Sequence, residues 1–292
     1  MNNPYFITFE VIAYSLSLLC FVYAFKKGLG NILRLLAGIL FGVLLELATI
    51  RQLNAYTYGH FPTMILDVPL CIGVSWGSIV YSVMEFSDAS SLPWPARPIL
   101  DGLLALNIDL AMDTIAIRLG MWDWGRGFDS QFFGVPYANF WAWFWVISSF
   151  SFGYHLLARR KDWTSIWLAP LSALTTGLIW VLATNAFIVY VVPNNMRGLV
   201  VSLLILGALG IILSLKPGFY QRPAPALVFW VPFISHTYFI TAGSVSGVIL
   251  EPPFLLFVSL FMFGIAFFLH QPTITSMFHR VRVKSSKTER YR

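Results

Sequence analysis

Long apolar runs, each ended by a short polar or charged break, recur from one end of the chain to the other. Runs of about 17–25 residues lie near 5–25, 33–50, 63–84, 99–118, 139–157, 165–192, 198–215, 226–247 and 254–270. Continuous runs of this length predict helices that cross a bilayer, whereas a barrel would show short alternating strands. The pattern therefore predicts an all-α polytopic membrane helix bundle of about nine spans. An odd number puts the termini on opposite faces. With the N-terminus outside, Lys26, Lys27, Arg34, Arg97, Arg159, Arg160, Lys161, Lys216, Arg222 and six cations after residue 279 fall inside. Only Arg51, Arg118, Arg126 and Arg197 fall outside, the asymmetry that cytoplasmic loops produce. The expected organisation is a single transmembrane helical domain over 1–275 and a basic cytoplasmic tail over 276–292 that meets lipid headgroups.

Composition agrees with the pattern. Of 292 residues, 58% are hydrophobic and 11% charged, against about 25% charged in a soluble domain. The net charge of +6 does not indicate nucleic acid, because its excess sits in the tail that follows the last run. Cys20 and Cys71 occupy separate apolar runs, so neither a disulfide framework nor a CxxC metal site is expected. The first run lacks a basic leader and is longer than a signal core, so it reads as the first span. The expected location is the cytoplasmic (plasma) membrane.

Against this apolar background a few polar positions stand out. Asp109 and Asp113 lie four residues apart in the fourth run, which puts both on one helix face, one turn apart. A charge at helix centre costs about 2.5–3.5 kcal/mol on insertion scales. Mutual repulsion is expected to leave at least one of the two protonated. Glu46, Asp67, Asn139, Asn185 and His236 fall at a similar depth although the spans alternate in direction, which predicts one polar cavity opening toward the outer side. Simpler roles compete: Asn107 and Asn185 as interhelical hydrogen-bond donors, His236 as a packed histidine, Asp67 as a helix rim, and Glu10 reaching the interface. The long connection 119–138 is rich in glycine and aromatic residues. It is expected to fold onto the membrane surface or into the bundle mouth, with Trp122 and Trp124 as lining.

An ordered series resembles a known family. It comprises Glu46, Tyr56-Thr-Tyr58-Gly59, Val68-Pro69 with Trp76, Asp109-Leu-Ala-Met-Asp113, Gly120-Met-Trp122-Asp-Trp124, and Phe133-Gly-Val-Pro-Tyr-Ala-Asn139-Phe140 ending at Trp143. It is similar to the membrane-integral carotenoid biosynthesis protein family, whose characterised members are carotenoid 1,2-hydratases of the bisanhydrobacterioruberin and gamma-carotene type. The resemblance implies an enzyme that protonates a terminal isoprene double bond and lets water capture the tertiary cation. Asp113 or Asp109 would supply the proton, and Glu46, assisted by Asn139, would orient and deprotonate the water. Trp122, Trp124, Trp76, Tyr58, Tyr56 and Trp143 would hold the cation and the polyene, with Asp67 at the rim. The expected partners are a lipophilic carotenoid or other isoprenoid, water and membrane lipid, with no metal and no organic cofactor. A cyclase would use the same protonation. An intramembrane prenyltransferase would need a second aspartate motif, for which Glu85-Phe-Ser-Asp88 is a poor match. A transporter would be expected to show inverted repeats, and none is seen.

Overall fold

A computed structural model describes residues 3–51, 55–160, 162–218 and 224–278. The nine apolar runs become nine long helices: α1 (Pro4–Lys27), α2 (Leu29–Arg51), α3 (Leu70–Ala89), α4 (Arg97–Arg118), α5 (Tyr137–Ala158), α6 (Trp163–Ala186), α7 (Arg197–Ser214), α8 (Ala226–Ser246) and α9 (Phe254–Leu269). A short α10 (Gln271–Phe278) follows α9 at a bend of 59°. The chain is an all-α membrane bundle. The basic tail expected over 276–292 lies outside the described residues from 279 onward.

Local chemistry sets the helix ends. Asn3 caps α1, its Oδ1 accepting from the Tyr5 amide at 3.0 Å with Pro4 in the first turn. Asp162 does the same for α6, accepting from the amides of Thr164 and Ser165. The third run begins later than its hydropathy suggests. Residues 64–69 form a small hairpin, β2 (Met64–Ile65) against β3 (Val68–Pro69), and the helix starts only after Pro69. Leu66, at φ 57°, makes its left-handed corner. Hydropathy reads this turn as span because Met64, Ile65, Leu66 and Val68 are apolar.

α1, α2, α3, α6 with its terminal turn, α7 and α8 are each long and apolar enough to cross a membrane, and α9 with α10 forms a bent seventh candidate. α4 is more polar, carrying Asp101, Asp109 and Asp113, and α5 is rich in serine, tyrosine and tryptophan. Position explains this. α4 touches α3, α5, α7, α8 and α9, so its carboxylates face protein and not lipid. α2 and α3 lie unusually close: a Cβ added at Gly42 would come within 2.4 Å of Trp76 Cβ. That approach brings the end of α2 within reach of the Trp76 indole.

Two polar layers fasten opposite ends of the bundle. At one end, buried Arg34 of α2 bonds Glu85 and, at 3.2 Å, Asp88 of α3. Lys27 of α1 reaches Glu85 at 2.7 Å, while Arg97 and His155 each reach Asp88 at 2.9 Å. Ser151 donates to buried Asp101 at 2.5 Å. At the other end, the 119–138 connection folds into the bundle mouth. β1 (Thr57–Tyr58) pairs antiparallel with β4 (Trp122–Asp123), placing Tyr58 opposite Trp122. The Gly59 amide donates to the Met121 carbonyl at 2.9 Å. A Cβ at Gly59 would sit 2.5 Å from the Gly120 carbonyl and 2.6 Å from the Phe6 ring, so only glycine admits this crossing.

Candidate active site

Glu46, near the end of α2, is buried and collects three donors. The Tyr58 hydroxyl donates to Oε2 at 2.8 Å, the Tyr56 hydroxyl donates to the same oxygen, and the Trp76 indole N–H donates to Oε1 at 2.7 Å. A carboxylate surrounded only by donors is satisfied in its acceptor-only form. Tyr56 and Tyr58 lie outside the spans. Burial first, and then the Glu46 charge, push both phenols well above the ordinary tyrosine value. Both therefore stay protonated and keep donating.

The aspartate pair has a different environment. The Asn139 amide Nδ2, in the first turn of α5, donates to Asp113 Oδ2 at 2.5 Å and to Asp109 Oδ2 at 3.2 Å. One amide thus bridges both acids, which have few other donors.

These groups meet at a small chamber of about 60 Å³, lined by Glu46, Tyr58, Trp76, Asp113, Trp122 and Asn139 among others. That exceeds the roughly 10–15 Å³ a single water requires. A larger groove of about 750 Å³ adjoins it and shares Glu46, Tyr56, Trp76, Trp124, Asn139 and Trp143 with it. Beyond those shared residues its walls are largely apolar, from α2, α5 and α6. Aromatic rings line the junction: Trp76 and Trp143 lie 4.2 Å apart between centroids, and Tyr56 and Trp124 4.5 Å.

The structure gathers Glu46, Tyr56, Tyr58, Trp76, Asp113, Trp122, Trp124, Asn139 and Trp143 around the chamber and groove. Asp109 is completely buried behind Asp113 and lines neither space. Asn185 lines the groove. Two expected members of the polar cavity lie elsewhere. Asp67 sits on the surface, paired with Arg51 at 2.9 Å, since the hairpin holds it outside the bundle. His236 is buried against Asn107 at 3.1 Å, and Asn107 donates to the Met262 carbonyl at 2.9 Å, a tie joining α8, α4 and α9. Glu10, expected at the interface, is instead buried and accepts from Tyr14 at 2.7 Å.

Sequence reading by polar residues alone missed the apolar walls. They follow one rule: Leu45, Glu46 and Thr49 on α2, Asn139, Ala142, Trp143 and Val146 on α5, Leu182, Asn185 and Ala186 on α6 all sit at helical i, i+3, i+4 spacing. Ile72, Ser75, Trp76 and Ile79 repeat it on α3.

Residues 2–213 match the family of carotenoid biosynthesis proteins. The chain belongs to that family. No curated protein and no solved structure matches it. The match spans every helix that lines the chamber or groove and ends within α7, so α8 and α9 lie beyond it. A carotenoid biosynthesis protein handles a lipophilic isoprenoid, and a largely apolar groove ending in a polar chamber suits such a molecule.

Proposed function

We propose that this carotenoid biosynthesis protein is a hydratase of the cytoplasmic membrane, adding water across the terminal C1=C2 bond of an acyclic carotenoid end group. The observation that carries the reading is the Asn139-bridged acid pair at the inner end of an apolar groove. The polyene lies in the groove, entering sideways from the bilayer, and its end reaches the chamber.

Asp113 is the acid, because it lines the chamber and Asp109 does not. Its carboxyl O–H breaks as the proton bonds to C2, and the alkene electron pair forms that C–H bond. The tertiary cation left at C1 faces the rings of Trp76, Trp122 and Trp124. A chamber water attacks C1 through oxygen. Glu46 accepts the proton this water releases, and exchange through a second water returns it to the aspartate pair. Substrate plus water gives alcohol, with the enzyme unchanged. Asp109 holds the pair's negative charge and positions Asp113 through Asn139. Only acid, base and water are consumed or returned, so the reaction calls for no redox or group-carrying cofactor.

Expression of the full chain in a host that makes lycopene or gamma-carotene, followed by pigment mass analysis, tests the reading. The expected product is heavier by one water. A new pigment of unchanged mass would make the protein a cyclase. No new pigment across several acyclic carotenoids would overturn the hydratase reading altogether.

A further inference from the structure

A neutral polyene leaves the cationic mouth of the groove without a purpose. Four Lys or Arg residues belong to the site end of the bundle: Arg51, Arg118, Arg126 and Arg197. Arg51 is spent on Asp67, and Arg118 donates to the carbonyls of Thr114, Phe133 and Glu251. The remaining two both line the groove. Arg197 is fixed there, because its Nη2 donates to the carbonyl of Val189 (2.6 Å), in the π-helical turn Phe187–Val191 that ends α6, and its Nε donates to the carbonyl of Val192 (3.3 Å), which caps that turn. Arg126 is exposed on the turn between Gly125 and Gly127 and makes no ion pair among the described residues. Among the described residues Glu46 is the one carboxylate in the groove lining, and its donors already satisfy it.

Two of the groove's walls, α2 and α6, are helices long and apolar enough to cross a membrane. α2 and α6 pack tightly where Phe41 meets Gly177, and further along both helices supply walls of the same open space. An apolar slot with two guanidinium groups at its mouth complements an amphiphile with an anionic head. We infer that the mouth binds the phosphate of an anionic phospholipid, with one acyl chain lying in the groove. Arg197 supplies a charge fixed by its carbonyl partners and Arg126 an exposed one. The slot is the one proposed for the polyene, but lipid binding stands without that reading.

Trp76, Trp124 and Trp143 line the groove and give a readout that needs no carotenoid. The full chain is placed in phosphatidylcholine nanodiscs containing increasing phosphatidylglycerol with brominated acyl chains, and tryptophan fluorescence is followed. Saturable quenching at low mole fraction is expected, in excess of that from brominated phosphatidylcholine. Arg126→Gln should shift its midpoint by about tenfold, the effect of losing one charge-assisted contact. Arg197→Lys should retain more binding than Arg197→Gln. Arg159→Gln, whose arginine stacks on Trp94 at the opposite end, should leave the curve in place. If Arg197→Gln fails to fold, Arg126→Gln on its exposed turn decides. Equal quenching by both lipids, or a curve unmoved by Arg126→Gln, would overturn the proposal. So would displacement of the lipid by inorganic phosphate alone, which would make the mouth a simple ion site. None of these outcomes depends on hydration, so failure here and failure of the hydratase reading are separable.

Discussion

Two aspartates one helical turn apart are chemically alike, and only their surroundings separate them. Asp113 faces the chamber and takes the shorter bond from Asn139, at 2.5 Å, while Asp109 is completely buried behind it. Asp113→Asn should therefore lower hydration by about 10²–10⁴-fold, the usual worth of a general acid, with the helical circular dichroism unchanged. Full turnover by that variant would remove Asp113 from the acid role. Glu46 differs in kind, being satisfied by Tyr56, Tyr58 and Trp76. Tyr58→Phe removes a hydrogen bond to a carboxylate, worth about 1.5–3 kcal/mol, and thermal unfolding in detergent should register the loss. The pH sign follows from the raised phenols. A group whose folded value lies above its unfolded value contributes stability below the unfolded value and loses it as pH rises through the folded one. The wild type should thus hold its advantage over Tyr58→Phe up to about pH 10 and lose it only above that. A gap that closes near neutrality would contradict the donor role.

The long helices were legible because each is announced by a largely apolar run, and all nine runs fold as helices. What hydropathy could not carry was the third helix start, since the 64–69 hairpin is built from apolar side chains around a left-handed Leu66. Within the site, Asp109, Asp113, Glu46 and Asn139 were legible because polar groups are expensive in a bilayer and so conspicuous. The groove walls were not, because Leu, Ala and Val on a lipid-facing stripe and on a substrate-facing stripe look identical until neighbouring helices are placed. Asp67 and His236 misled for the converse reason: depth along a span does not say which way a side chain points. The α2–α3 contact turns on one small residue. Gly42→Leu would drive a side chain into Trp76, pushing the helices apart and withdrawing the indole from Glu46. Activity should fall together with thermal stability, whereas Gly207→Leu, in open space on α7, should change neither.

The bundle separates its work between its two ends. The ionic cluster around Arg34, Glu85, Asp88 and His155 ties α1 through α5 at one end, and the chamber and groove occupy the other. Every helix that supplies a chamber residue is also held by this clamp, while α6, which forms one groove wall, is not. α6 is held instead by its packing on α5 and α2. Removing one partner of a buried ion pair leaves the others uncompensated, so Arg34→Met should cost about 3–5 kcal/mol of stability. Because the cluster touches neither chamber nor groove, the hydration rate per folded molecule should be preserved. Ala142→Trp should do the reverse. Ala142 lines the groove but not the chamber, so a large ring there blocks the polyene without touching acid or base. Hydration of a full-length carotenoid should drop sharply, and a short isoprenoid that needs only the chamber should still react, with thermal stability near that of the wild type. Equal loss for long and short substrates would mean the groove is not the path to the acids. The two variants together separate a scaffold that holds the site from a channel that feeds it.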